Sequence, residues 1–450
     1  MEPEAVLSYL EQHGIRKVKL AGVDLDGILR GKYVSTEKLA SALKNGFGFC
    51  DVIFGWDLDD QLYDFETRTG WHTGYPDLLA RVEAATMRVV PWEPGTALFL
   101  CDFWADERSA YPFCPRNLLK RVVGRAEAMG FRPRAAVEYE FWIFRESPAS
   151  LHEKGFRNLT PLTPGQFGYS LQRAAESSRL LHDLMDTCAA LNLDLEGLHT
   201  ETGPGVFEAA IAVQEALEAA DRAALFRLTV KEICRRYDCT ATFMARWSPD
   251  QPGSSGHLHQ SLWDAGGEVN LFAGGGEDWM SGTMRHYLGG QLALMPEVMA
   301  LVCPTVNSYK RTVPGAWAPM NVGWGIENRT TALRAIRGTS ASATRVEYRL
   351  AGSDANPYLA LAASIASGLY GIERGIEPPA PVEGSAYGSE APPLPRSLED
   401  AAAAFRASEA AAELLGAEFV RHYADTRDWE VRRFRKAVTD WELRRYFEAI

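Results

Sequence analysis

The alternation of apolar and polar positions is clearest in VEYEFWIF, residues 137–144. Every second residue from Val137 is apolar, which predicts a buried β-strand because successive side chains of a strand point to opposite faces. Glu138 and Glu140 then lie side by side on the other face. Two carboxylates at this spacing repel each other, and an unpaired buried carboxylate is costly. The pattern therefore raises the question of what lies opposite the two glutamates.

The same reading predicts mixed helices and strands in the rest of the chain. Residues 2–13 have helical spacing, and residues 17–35 are typical of a β-hairpin. Strand-like segments continue to 87–103, whereas helical spacing begins at Pro115. A loop rich in Pro, Gly and Ser over 377–397 precedes a helical tail. The first hundred residues are thus predicted to form a small, strand-rich domain.

Composition narrows the class of protein. The 450 residues are 46% hydrophobic and 24% charged, as in globular proteins with a large core. A net charge of −12 without runs of Lys or Arg argues against nucleic acid as a partner. The seven cysteines are scattered and form no C-x-x-C pair, which gives no support to a zinc ribbon or a disulfide framework. No signal peptide and no membrane span are predicted, so we expect a cytoplasmic protein without a membrane partner.

Four further segments carry the chemistry that could face the two glutamates. Their carboxylates and imidazoles suit divalent cations, and their arginines suit phosphate oxyanions. Each segment alone would also fit an ion-paired or solvated strand, but together they predict metal-assisted phosphoryl transfer. The segments are HTETGPGVFEAAI (199–211), GSSGHLHQS (253–261), the Arg-rich 307–334 and RVEYRLAGSDANPYL (345–359).

The order of these motifs resembles the glutamine synthetase family. EYEF, ETGPGVFE, GHLHQS, NSYKR, NRTTALR, RVEYR and NPYL occur in sequence, and the resemblance runs from about Val18 to the final VTDWELRRYFE. It implies an α+β fold with a small N-terminal β-grasp domain (1–108) and a large catalytic domain (109–450) with a curved antiparallel sheet. It also implies a homo-oligomer built from rings, a dodecamer in the family, in which a neighbouring N-terminal domain completes each active site.

The activity implied by the resemblance is ATP-dependent formation of a γ-glutamyl amide from glutamate and a nitrogen nucleophile. The route runs through a γ-glutamyl phosphate and uses two divalent cations, Mg²⁺ or Mn²⁺. Residue by residue, one cation would be held by Glu140, Glu201 and Glu208, and the other by Glu138, His257 and Glu347. ATP contacts would come from Glu196, His259, Ser261, Arg334 and Arg345.

The resemblance also implies catalytic roles for Arg329, Arg311 and Glu347, with Arg329 stabilising the transferring phosphoryl group. Substrate contacts would come from Arg311, Arg349, Gly253, Trp317 and Asp51.

The chain departs from the family pattern around the substrates. Val206 replaces a glutamine and Pro252 an asparagine, yet both substrate arginines remain, so glutamate stays the expected acyl donor. Trp317 stands where ammonium-using members have a glutamate. An indole offers only an N–H donor and cannot take a proton from ammonium. The acceptor is therefore predicted to be an organic amine, with Asp51 as a candidate proton acceptor beside it.

Two alternatives stay open at this point. One is an ammonium-using glutamine synthetase with an unusual pocket, and the other is a non-catalytic relative kept as a structural protein. The amine itself is also open, with polyamines, ethanolamine, short alkylamines and aromatic amines all compatible with the residues.

Overall fold

The computed structural model describes residues 2–275 and 278–450, and two β-sheets organise them. The first sheet has the strand order β2-β1-β6-β4-β3, with β5 beside β6. Strands β1 and β2 form the predicted antiparallel hairpin, and β1 pairs with β6 in parallel. Its strands are β1 (Lys17–Val23), β2 (Leu29–Ser35), β3 (Phe47–Cys50), β4 (Asp77–Val82), β5 (Arg88–Val89) and β6 (Thr96–Trp104).

The second sheet has nine strands in the order β13-β14-β15-β12-β7-β9-β8, with β10 and β11 also pairing with β7. All of these pairs are antiparallel except β13 with β14. The strands are β7 (Phe131–Phe144), β8 (Leu195–Thr200), β9 (Val206–Ile211), β10 (Gln214–Glu215), β11 (Thr240–Thr242), β12 (Gly256–Asp264), β13 (Trp324–Ile326), β14 (Leu333–Ile336) and β15 (Arg345–Tyr348). The mixed architecture confirms the predicted α+β class.

Helices α1 and α2 lie with the first sheet, α3 and α7 pack on the apolar side of the second sheet, and further helices form the C-terminal tail. They are α1 (Pro3–Gln12), α2 (Thr36–Asn45), α3 (Pro115–Ala128), α4 (Pro148–Glu153), α5 (Leu171–Glu176), α6 (Ser178–Ala190), α7 (Ala216–Arg236), α8 (Gly282–Val302), α9 (Pro357–Arg374), α10 (Leu398–Ala407), α11 (Glu409–Leu415), α12 (Ala417–Lys436) and α13 (Asp440–Tyr446). In the part of the chain that the structure describes, no helix is both long and apolar enough to cross a bilayer.

Strand β7 shows why the alternating pattern matters. Its apolar face packs on α7, where Tyr139 and Phe141 lie against Phe226 with ring centroids 6.2 and 5.9 Å apart. Burial of such aromatic rings contributes much of the stability of a core. With this face fixed against helices, the opposite face of β7 turns its glutamates into an open cavity. The predicted strand is confirmed and begins earlier, at Phe131.

Buried polar contacts join the two sheets. Arg116, at the start of α3, donates two hydrogen bonds of 2.8 and 2.9 Å to Asp221 on α7 and one of 2.8 Å to Asp102 on β6. Asn356 accepts from the backbone at the start of α9 and donates to the carbonyl of Asp24 at 2.9 Å. Paired buried charges of this kind fix how elements meet. The boundary between residues 108 and 109 stays a prediction.

Candidate active site

The polar face of the second sheet opens into a cavity of about 810 Å³. Five glutamates and one histidine line it, and these are all the residues predicted to hold a cation: Glu138, Glu140, Glu201, Glu208, Glu347 and His257. Four arginines line the same cavity, namely Arg246, Arg329, Arg334 and Arg349.

Strand register places these side chains opposite one another. Glu138 on β7 pairs with His257 on β12, and Glu140 pairs with Glu208 on β9. Glu347 on β15 pairs with His259 on β12. Directly paired residues of antiparallel strands have Cβ atoms about 4.5–5.5 Å apart. Segments far apart in sequence therefore converge on one face.

Glu138, His257 and Glu347 form the first of two groups. His257 Nδ1 lies 3.3 Å from Glu347 Oε1 and 3.6 Å from Glu138 Oε2, and His259 Nε2 lies 3.1 Å from Glu138 Oε1. Burial would raise the pKa of Glu138, but the imidazoles of His259 and His257 hold it well below its ordinary range. Burial would also raise the pKa of Glu347, but the imidazoles of His257 and His259 and the guanidinium of Arg349 lower it to about 2. Both carboxylates are thus ionised.

Glu140, Glu201 and Glu208 form the second group, and its charge balance differs. Burial, with the negative charges of Glu208 and Glu201, raises the pKa of Glu140 to about 8, although the Ser255 N–H donates to Glu140 at 2.6 Å. The repulsion that the sequence suggested between Glu138 and Glu140 therefore lies instead between β7 and β9. The reason is register, because Glu138 faces a histidine whereas Glu140 faces a glutamate.

This donor set fits divalent cations. Groups of three His or Glu ligand atoms lie within 4.8 Å of one another at Glu138-Glu208-His257, Glu138-His259-Glu347 and His199-Glu201-Glu208. Carboxylate oxygens with a few imidazole nitrogens suit Mg²⁺ and Mn²⁺. A cation bound beside Glu140, Glu201 and Glu208 would offset the negative charge that raises the pKa of Glu140. The pairing of ligands with each cation stays a prediction.

A second cavity of about 330 Å³ adjoins the first, and Glu138 lines both. Four residues predicted to contact ATP line this smaller cavity, namely Glu196, His259, Ser261 and Arg345. Glu196 sits at a bulge between β8 and β9, where the register shifts. The fifth, Arg334, lines the larger cavity instead and pairs with Glu347 at 3.1 Å.

The predicted substrate arginines differ in position. Arg349 lines the larger cavity, and its Nε donates to the carbonyl of Arg329 at 3.1 Å. Arg311 is buried behind the cavity wall, where its Nη1 lies 3.3 Å from Ser255 Oγ. A Cβ at Gly253 would lie 2.4 Å from Arg311 Cγ, so the close approach requires glycine there. A direct contact of Arg311 with substrate stays a prediction.

Trp317 stands at the mouth of the larger cavity. It is 66% exposed and has φ of +55°, a conformation that bulky residues adopt rarely. It also lines a neighbouring surface cavity together with Ile326 and Val382. The indole is thus placed where it can contact a molecule entering the larger cavity.

Asp51 lies elsewhere, in a 3₁₀ turn (Asp51–Phe54) beside the first sheet. It is buried, and burial raises the pKa of its carboxyl. Asp51 lines neither of the two cavities described above, both of which are formed by residues of its own chain. A role for Asp51 beside the acceptor therefore depends on a second subunit, and it stays a prediction.

Several residues of the site were missed by the sequence interpretation. Gln166, Tyr169, Asp250 and Gln251 line the larger cavity from irregular loops, where no periodic pattern indicates orientation. His199 is different, because it lies on β8 two residues before Glu201, which directly follows the strand, and alternation predicts both side chains on one face. That spacing could have indicated it.

Comparisons with known proteins agree with this geometry. The chain matches the family description "Glutamine synthetase, catalytic domain" over residues 112–446. It is 46% identical over 427 residues to "Type-1 glutamine synthetase 2" of Dictyostelium discoideum, covering 94% of this chain and 81% of that relative. It is 39% identical over 432 residues to "Glutamate--isopropylamine ligase" of a Pseudomonas species, covering 95% and 94%. A solved structure entitled "GmaS/ADP complex-Conformation 1" superposes with a TM-score of 0.86 at 30% identity, covering 99% of each chain.

Proposed function

Because the chain belongs to the glutamine synthetase family of ATP-dependent carbon–nitrogen ligases, we propose that it joins glutamate to an organic amine through a γ-glutamyl phosphate. One observation carries the choice of acceptor. Trp317 stands at the mouth of a carboxylate-rich cavity, where it brings an apolar surface and no base. The relative named for isopropylamine, 39% identical, supports the same class of acceptor.

In the first step, the γ-carboxylate oxygen of glutamate attacks the γ-phosphorus of ATP, and the bond to the leaving ADP oxygen breaks. Bound divalent cations would screen the phosphates and lower the charge of the leaving group. Arg329 opens into the cavity, and among the described residues no carboxylate lies within ion-pair distance of it. Its guanidinium is free to bind the equatorial oxygens of the transferring phosphoryl group.

In the second step, the amine nitrogen attacks the acyl carbon and inorganic phosphate leaves. An amine enters largely as a cation at neutral pH, so one proton must be removed before attack and another after it. Trp317 can accept neither proton, because its only polar group is a donor. We assign this task to a carboxylate, with Asp51 of a neighbouring subunit as the candidate.

The surface around the acceptor favours carbon over bare ammonium. Val206 and Pro252 line the same cavity as Trp317 and add apolar area. A cationic amine over an indole face gains roughly 0.5–2 kcal/mol, and burial of its alkyl carbons adds about 0.8 kcal/mol per methylene. Ammonium gains nothing from the second contribution.

An ammonium-using glutamine synthetase is the second candidate. The observation in its favour is the 46% identity to a relative that carries that name. The alternative of a non-catalytic structural protein is not supported, because the chain belongs to a family of ligases and its cavity keeps the clustered carboxylates. A ring-shaped homo-oligomer, such as a dodecamer, and a cytoplasmic location stay proposals.

The experiment that separates these candidates measures phosphate release with ATP, Mg²⁺ and glutamate while the acceptor is varied. Ammonium, methylamine, isopropylamine, ethanolamine, a diamine and aniline form the panel, and mass spectrometry identifies each amide. The proposal predicts that at least one organic amine exceeds ammonium in kcat/KM. Ammonium as the best acceptor would support the second candidate, and no product with any acceptor would support a structural role.

A further inference from the structure

His199 lies on β8 beside the second carboxylate group but outside the ligand set assigned above. Its Nε2 is 3.2 Å from Glu208 Oε1. The ligand atoms of His199, Glu201 and Glu208 all lie within 4.8 Å of one another. An imidazole nitrogen thus lies within ligand distance of two of the three carboxylates of this group.

The other ring nitrogen of His199 fixes the role of Nε2. Nδ1 lies 3.2 Å from the backbone carbonyl oxygen of Thr200. Because a carbonyl oxygen can only accept, Nδ1 carries the proton of this contact, and in the neutral ring Nε2 keeps a lone pair aimed at the carboxylates. Metal-binding histidines are commonly oriented by such a hydrogen bond from the other nitrogen to a carbonyl.

The orientation of the ring is held by Tyr169. The two rings stack with centroids 4.4 Å apart and an interplanar angle of 27°. Tyr169 itself lines the larger cavity. The imidazole is therefore confined in plane and direction before any cation arrives, which reduces the entropy lost on binding.

From these contacts we infer that His199, through Nε2, is a fourth protein ligand of the cation held by Glu140, Glu201 and Glu208. Each cation site then contains one imidazole, His199 at one and His257 at the other. An imidazole nitrogen binds divalent transition metals more strongly than it binds Mg²⁺. This site should therefore prefer Mn²⁺ or Co²⁺ over Mg²⁺. The inference rests on the proposed metal-dependent function but concerns metal binding alone.

The competing arrangement is an ion pair, in which a protonated His199 neutralises Glu208 and takes no part in metal binding. The two arrangements predict opposite effects of removing the ring. Loss of a ligand weakens metal binding, whereas loss of a competing cation leaves binding unchanged or strengthens it.

The test uses the metal-free full-length protein without substrates. Mn²⁺ binding is measured by calorimetry, and pulsed electron paramagnetic resonance reports the nitrogen nuclei coupled to bound Mn²⁺. We expect two bound ions in the wild type, both coupled to imidazole nitrogen. His199→Gln and His199→Ala should lower the affinity for one of the two Mn²⁺ ions by about tenfold or more. They should also remove one nitrogen coupling and reduce the preference of that site for Mn²⁺ over Mg²⁺.

His182→Gln, on the exposed side of α6, is the matched control and should leave both ions unchanged. Circular dichroism confirms that each variant is folded. The inference is overturned if both His199 variants keep the wild-type nitrogen coupling and both Mn²⁺ affinities. That result is distinguishable from failure of the proposed function, which would appear as absent amide formation in a protein that binds both ions as expected.

Discussion

The cavity wall that carries the proposed cation ligands and the mouth proposed to face the acceptor are built in different ways. The wall consists of side chains on β7, β9, β12 and β15, each fixed by an antiparallel ladder. The mouth consists of Trp317 on an irregular loop, largely exposed and with a strained backbone. Strands hold side chains more exactly than loops, and loops tolerate change. On the proposed function, the comparison teaches that the sheet fixes the groups for phosphoryl transfer, whereas the loop at the cavity mouth sets the choice of acceptor.

The wall and the mouth also differ in charge, because the wall is rich in carboxylates whereas the mouth is largely apolar. In the wall, burial and neighbouring carboxylates raise the pKa of Glu140 to about 8. A bound cation would offset this excess of negative charge. At the mouth, Trp317 and Pro252 present apolar surface. Substitutions in the wall should therefore reduce turnover with every acceptor, and substitutions at the mouth should redistribute turnover among acceptors.

The largest effect is expected from Glu138→Ala. Glu138 lines both cavities, so its loss should remove a proposed cation ligand between the proposed nucleotide site and the proposed acyl-donor site. Turnover should fall roughly a thousand-fold with every acceptor, because cation contributions to phosphoryl transfer amount to several kcal/mol. Phosphate release at saturating substrates is the measurement, and Glu153→Ala on exposed α4 is the control. Near-normal turnover at low Mg²⁺ would contradict the two-cation site.

Arg329→Lys is expected to have the second largest effect. Lysine keeps the charge but lacks the planar fork that binds two oxygens, so kcat should fall about 100-fold while KM for ATP changes little. Arg337→Lys, an exposed neighbour, serves as control. If kcat stays constant and only KM for ATP rises, Arg329 contributes to ground-state binding instead.

Trp317→Glu tests the mouth alone. It restores the carboxylate of ammonium-using relatives, so the ratio of kcat/KM for the best organic amine to that for ammonium should fall roughly tenfold, within the range of a cation–π contact. Trp317→Phe keeps an aromatic wall and should preserve the wild-type preference. An unchanged ratio in Trp317→Glu would remove Trp317 as the selector.

The smallest effect concerns the metal-free protein. The pKa of Glu140 is raised from 4.5 to about 8 in the folded state, so the folded protein binds the proton more tightly than the unfolded chain. Stability should therefore decrease as pH rises from about 4.5 to about 8. Glu140→Gln removes this loss and should raise Tm by a few degrees at pH 8 in EDTA, with little change at pH 4.5. Parallel pH profiles of Tm for the two proteins would refute the assignment.

Much of this wall could be predicted from sequence because strands have a simple period. Alternation around Val137 predicted β7 and placed Glu138 and Glu140 on one face, and the structure confirms both points. The partners of these glutamates depend on register between distant strands, which alternation does not specify. That is why the repulsion was predicted within β7 but lies between β7 and β9.

The mouth was less predictable for the same physical reason. Gln166 and Tyr169 lie on loops without a repeating pattern, and their approach to the cavity depends on tertiary contacts such as the stacking of Tyr169 on His199. Arg311 is buried behind Gly253, and its expected contact with substrate stays a prediction. Motif spacing identifies such residues but does not give their depth.

The central claim is that the acceptor is an organic amine, and direct competition tests it. Wild-type protein, ATP, Mg²⁺ and glutamate are supplied with equal concentrations of ¹⁵N-ammonium and the best amine of the panel, and mass spectrometry measures both amides at early times. The account predicts that the γ-glutamyl amide of the organic amine exceeds ¹⁵N-glutamine. An excess of ¹⁵N-glutamine would contradict it and identify the protein as a glutamine synthetase.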